Sequence, residues 1–238
     1  MNTSSYFLTQ FGFAAVTIVF AVLLLITLKR ALAKTTIDAQ RQRKLLLTTT
    51  LLLSVWFVAM GIGAITGFFR DFNSLPPRVT IIVIIPLVVV IWLLNNKTAT
   101  EIIHAMSPHR LMSLQVFRVF VEVLLWALFA QGLLPEQMTF EGRNFDVISG
   151  ITGPVMAWLV YRQKVSKGVA IVWNLLCLGL LINIVGTAIL SMPTPFRVFM
   201  NEPANTIVTE FPIIWLPGFL VPLAYTLHLL SLKQLLKQ

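Results

Sequence analysis

The chain has 238 residues, 57% of them hydrophobic and only 11% charged, with a mean hydropathy of +0.86 and a formal net charge of +9. That composition excludes a soluble globular domain and marks an integral membrane protein. The lone Cys177 excludes a disulfide within the chain.

Apolar stretches at 7–28, 45–69, 79–94, 111–134, 147–161, 169–190 and 211–232 predict seven membrane-spanning helices. A helix rising 1.5 Å per residue needs about 20 apolar residues to cross ~30 Å of hydrocarbon. The fold class that follows is all-α: a polytopic transmembrane helical bundle forming a single integral membrane domain over residues 1–238.

Residues 1–28 carry no charge, and Lys29 and Arg30 follow the apolar run instead of preceding it. This is the reverse of a cleavable signal peptide and predicts a first helix with its N-terminus outside. Successive crossings then bring Lys29, Arg30, Lys34, Arg41, Arg43, Lys44, Lys97, Arg110, Arg162, Lys164, Lys167, Lys233 and Lys237 to the inner face. Only Arg70, Arg78, Arg143 and Arg197 fall outside, which is the bias of the positive-inside rule and predicts an inner C-terminus. The basic residues Lys29, Arg30, Lys34, Arg41, Arg43 and Lys44 are expected to touch anionic headgroups of the inner leaflet. The high net charge is thereby accounted for without a nucleic-acid partner. Short loops suit a bacterial cytoplasmic membrane.

Gly63-x-x-x-Gly67 in the second stretch permits close helix approach. After the third, Thr98 to Met106 reads as a short amphipathic piece. Ser107-Pro108 then predicts a helix start, with the Ser oxygen as cap and Pro in the first turn.

In the fourth stretch Gln115, Arg118 and Glu122 recur at steps of three and four, on one helix face. Counted from Pro108, Arg118 lies ~15 Å and Glu122 ~21 Å along the helix, well inside the hydrocarbon. An unpaired charge there costs several kcal/mol, so Arg118 and Glu122 are expected to answer each other within the helix. Such a pair serves either as a polar staple between helices or as an ion, proton or ligand site.

The outer loops 135–146 and 191–210 hold Glu136, Glu141, Asp146, Glu202 and Glu210, an acidic rim in which Asp146 also suits a helix N-terminus. Pro193, Pro195, Phe196, Val198, Phe199 and Met200 predict a segment lying in the interface. Gly150, Gly153 and Pro154 allow the fifth helix a tight crossing. The sixth contributes Asn174 and, near mid-membrane, Asn183. In the last, Pro212, Pro217, Gly218 and Pro222 break the backbone ladder and free carbonyls around 213–218. Tyr225 and His228 follow on one face, at the depth of Gln115 and Arg118.

The expected binding site is therefore Arg118 and Glu122 surrounded by Gln115, Asn183, Tyr225 and His228 on the fourth, sixth and seventh helices. Permeation or transport of a small ion or solute is the leading expectation. The alternative is a non-catalytic membrane component, an assembly partner or sensor subunit, in which the same residues are structural. No serine-hydrolase, zinc-protease or other catalytic pattern occurs, so an enzyme is not expected, nor a cofactor or metal. Oligomeric state is not encoded in these patterns.

Overall fold

A computed structural model describes residues 3–74 and 76–237, and these form helices and connecting turns, with no strand among them. The helices are α1 (Thr3–Leu32), α2 (Ala39–Ile65), α3 (Ile81–Asn95), α4 (Lys97–Ala105), α5 (Pro108–Ser113), α6 (Phe117–Ala130), α7 (Val147–Tyr161), α8 (Lys167–Leu190) and α9 (Val221–Lys237). A 3-10 turn, Leu114–Val116, joins α5 to α6, and a π-helical turn, Leu216–Leu220, leads into α9.

Six segments are long and apolar enough to cross a membrane: Ser4–Leu32, Ala39–Ile65, Arg78–Asn95, Pro108–Ala130, Lys167–Leu190 and Leu216–Lys237. The expected seventh, α7, is apolar but has 15 residues, or about 22 Å of helix. Large apolar side chains cover the outer surface, among them Leu51, Leu52, Val55, Val58 and Ile62 on α2 and Leu176 and Ile182 on α8. A surface this apolar suits lipid, not water.

Side-chain caps fix the starts of three helices. Asp38 accepts from Arg41 N at 2.9 Å, Asn96 from Ala99 N at 3.0 Å and Ser166 from Val169 N at 3.3 Å. Ser107 differs from expectation. Pro108 does stand in the first turn, but the Ser107 hydroxyl makes no cap bond, and its carbonyl instead accepts from Arg110 N at 3.0 Å.

The molecule is arranged around α9. In the segment Leu216–Lys237, 72% of the most apolar window is buried inside the protein, against 11% for α2. It packs on α3, α5 and α8, while α1 lies along α6. The entry to this helix, expected from residue 211, is irregular through its prolines and starts as a π-helical turn at 216. Pro222 has no N–H for the carbonyl four residues back, and Trp56 Nε1 donates to that Gly218 oxygen at 2.9 Å. The Phe211 carbonyl likewise accepts from Gln10 Nε2 at 3.2 Å.

The predicted tight crossing of the fifth helix is the contact of α7 with α5 and α6. A Cβ on Gly153 would sit 2.8 Å from the Met112 carbonyl oxygen, and one on Gly150 2.8 Å from Val119 N. Only glycine allows this approach, and it brings the N-terminus of α7 against the middle of the α5–α6 helix. The connection 135–146, expected as an exposed outer loop, is folded in: Leu134, Met138, Thr139, Asn144 and Asp146 are buried. Non-helical backbone tolerates such a place when its polar groups find partners. Here Asn144 N donates to Thr139 O at 3.1 Å, and Asp146 N to Asn144 Oδ1 at 3.1 Å.

Candidate functional site: a buried polar cluster on α6, α8 and α9

Arg118, one residue into α6, is 2% exposed and surrounded by protein. Its expected partner was Glu122, four residues on. The structure pairs it elsewhere: Nε lies 2.9 Å from Asp146 Oδ2, at the N-terminus of α7. The Nε–H does not point along that line, so the contact is an ion pair and not an aligned hydrogen bond. On the other side Arg118 Nη1 is 3.2 Å from His228 Nε2 on α9.

A guanidinium can only donate, so His228 Nε2 must accept and the ring proton sits on Nδ1. That nitrogen is 2.9 Å from Asn174 Oδ1 on α8. Asn174 Nδ2 in turn donates to the Ala170 carbonyl at 2.8 Å and to Ser231 Oγ at 3.3 Å. One directed chain therefore runs from Arg118 through a neutral imidazole to Ser231, with every member buried. Trp173 flanks the ring, centroid to centroid 5.5 Å.

Glu122 is held by the folded-in connection. Asn144 Nδ2 donates to both carboxyl oxygens at 2.7 Å and to Met138 O at 3.1 Å. The i,i+4 neighbours are thus separated into two arms, Arg118 with Asp146 and His228, and Glu122 with Asn144. The 142–146 turn supplies both partners, a carboxylate within 2.9 Å of Arg118 and an amide within 2.7 Å of Glu122.

The other expected residues are distributed unevenly. Gln115 is buried in the 3-10 turn and donates through Nε2 to the Ala224 carbonyl at 3.2 Å, away from the guanidinium. Tyr225 is buried, but its hydroxyl has no hydrogen-bond partner and joins neither arm. Asn183 lies outside the cluster, donating to the Arg143 carbonyl at 2.8 Å near the outer connection. Its helix-mate Asn174, nine residues earlier, occupies the place expected of it. Asn144, Asp146 and Ser231 carried no such expectation. The one signal available for them was a polar pair two apart, Asn144 and Asp146, directly before an apolar helix.

A cavity of ≈ 90 Å³ opens beside the cluster. Its polar lining is Arg118, Glu122, Asn144, Asp146 and Asn205, and its walls are apolar residues of α6, α8 and the entry to α9, such as Val121, Leu181, Ile184 and Leu220.

Residues 76–236 match a family described as a domain of unknown function, DUF8737. The chain belongs to this family. No curated protein and no solved structure matches it. The DUF8737 region starts ahead of α3 and contains the whole cluster and the cavity, whereas α1 and α2 precede it.

Proposed function

We propose that this DUF8737 protein is a multi-pass membrane protein that carries a small ion or solute through the buried polar site on α6, α8 and α9. The observation behind this reading is the cavity itself. Two carboxyl groups and a guanidinium stand on its wall, inside helices apolar enough for a bilayer. Charges in such a place are costly and gather at ion and substrate paths. The proposal includes seven crossings, α7 being the short one, with the N-terminus out and the C-terminus in, in a bacterial cytoplasmic membrane. It also includes anionic inner-leaflet headgroups as partners of Lys29, Arg30, Lys34, Arg41, Arg43 and Lys44.

A second reading is favoured by a different observation: Arg118, Glu122 and His228 each already have a partner within the protein. A cluster so satisfied serves equally well to lock the register of a non-catalytic membrane component.

Proton flux into dye-loaded proteoliposomes under an imposed potential separates the two. Carriage of protons predicts flux in the wild type that Glu122→Gln loses while still folded. A register lock predicts no flux in either and a Glu122→Gln variant of lowered thermal stability.

A further inference from the structure

The cluster holds more carboxyl groups than cationic side chains. A single guanidinium faces two carboxyl groups, and His228 accepts from Arg118, so it brings no charge of its own. The cation nearest along the connection, Arg143, turns away to stack on Phe199, with its Cζ 5.1 Å from the ring centroid.

Three buried polar atoms in the same place have no partner: Arg118 Nη2, Asp146 Oδ1 and Asn205 Oδ1. Their residues are 2%, 5% and 0% exposed, and all three line the cavity. Two of these atoms are acceptors, and Glu122 lies on the same wall. An anion would stand against both carboxyl groups. A bare metal ion would need a shell of oxygens that a wall of Val121, Leu181, Ile184 and Leu220 cannot supply. A cation carrying its own apolar body meets both conditions. Its head would donate to the two unpartnered acceptors, and its body would lie on the apolar wall.

We propose that the cavity binds a short alkylammonium, its head against Asp146, Glu122 and Asn205 and its chain among the aliphatic side chains of α8 and α9. A cavity of about 150 Å³ holds benzene, so ≈ 90 Å³ encloses about four non-hydrogen atoms. This rests on the reading that the cluster is a binding site, but it does not require that protons cross.

The test is titration calorimetry on the full chain in detergent with n-propylammonium, 1-propanol and butyrate, which share a propyl chain and differ in the head. Saturable binding of the ammonium is expected, with propanol roughly tenfold or more weaker, since charge-assisted hydrogen bonds distinguish the two. Butyrate should not bind. Ala188→Phe, which fills the cavity from α8 without touching the charged groups, should abolish binding in a folded protein, and Glu122→Gln should weaken it.

Equal affinity for propanol and propylammonium overturns the proposal. So does a folded wild type that binds neither, or an Ala188→Phe variant that still binds. Proton flux without ammonium binding would leave carriage standing and remove this inference. Ammonium binding without proton flux would leave this inference standing and remove the proton as the carried ion.

Discussion

At the residue scale, Arg118 is defined by what holds it. Asp146 and His228 take two of its nitrogens, and Glu122 is engaged by Asn144. Double-mutant cycles should therefore give a coupling of about 1–3 kcal/mol between Arg118 and Asp146, and less than about 0.5 kcal/mol between Arg118 and Glu122. Thermal or denaturant unfolding in detergent measures both. Coupling that is larger for Glu122 would contradict the geometry. His228→Ala should cost about 1–3 kcal/mol, because it strands an Arg118 N–H and the Asn174 oxygen in a dry interior. His228→Gln, which can still offer an acceptor to Arg118, should recover part of that. The helix-face spacing of Gln115, Arg118 and Glu122 was legible in the sequence, as was the burial that follows from charges in an apolar run. Their partners were not. Asn144 and Asp146 come from a connection whose inward path is decided by tertiary packing, and nothing in its composition separates it from an exposed acidic loop. The exchange of Asn174 for Asn183 has a similar cause: a helix carrying polar residues on two faces does not say which one meets α9.

At the element scale, two features of the bundle carry their own tests. Gly153 brings α7 onto the Met112 carbonyl, where a Cβ would stand 2.8 Å from backbone oxygen that cannot yield. Gly153→Val should cost about 1–3 kcal/mol through overpacking and should loosen the α5–α7 contact that aims Asp146 at Arg118. A melting profile of the variant indistinguishable from wild type would show the crossing to be softer than the geometry implies. Trp56→Phe keeps the ring but removes the donor to Gly218 O, and unfolding should show a loss of about 1–3 kcal/mol. The sequence announced both features, the glycines through their spacing and the free carbonyls through Pro217 and Pro222. It could not announce that a tryptophan from α2, more than 150 residues earlier in the chain, would satisfy one of those carbonyls. Apolar length located each of the six long segments, with ends that shift by up to six residues, as at the start of α2. The start of the last one moved from 211 to 216 because Pro212 and Pro217 keep the intervening turn irregular.

At the scale of the whole molecule, the distribution of basic residues predicts a measurable orientation. In a Cys177→Ala background, cysteines placed at Arg43 or Lys164 should react with an impermeant thiol reagent only from the inner side, and one at Glu202 only from the outer side. Labelling of the Lys164 and Glu136 positions, which flank α7, from one side would remove α7 from the count of crossings. That short helix has one more consequence. Its exposed stripe Ile148, Ile151, Val155 and Trp158 faces outward while its inner side abuts the charged cluster. On the seven-crossing proposal, acyl chains beside a helix about 22 Å long would compress to meet it, since the surrounding slab is ~30 Å thick. A membrane voltage dropped over that thinner layer would make a steeper electric field next to Arg118, Glu122 and Asp146 than elsewhere around the bundle. A charge displaced there is worth about 2.3 kcal/mol per 100 mV for a full crossing, and the thinning concentrates that work into fewer ångströms.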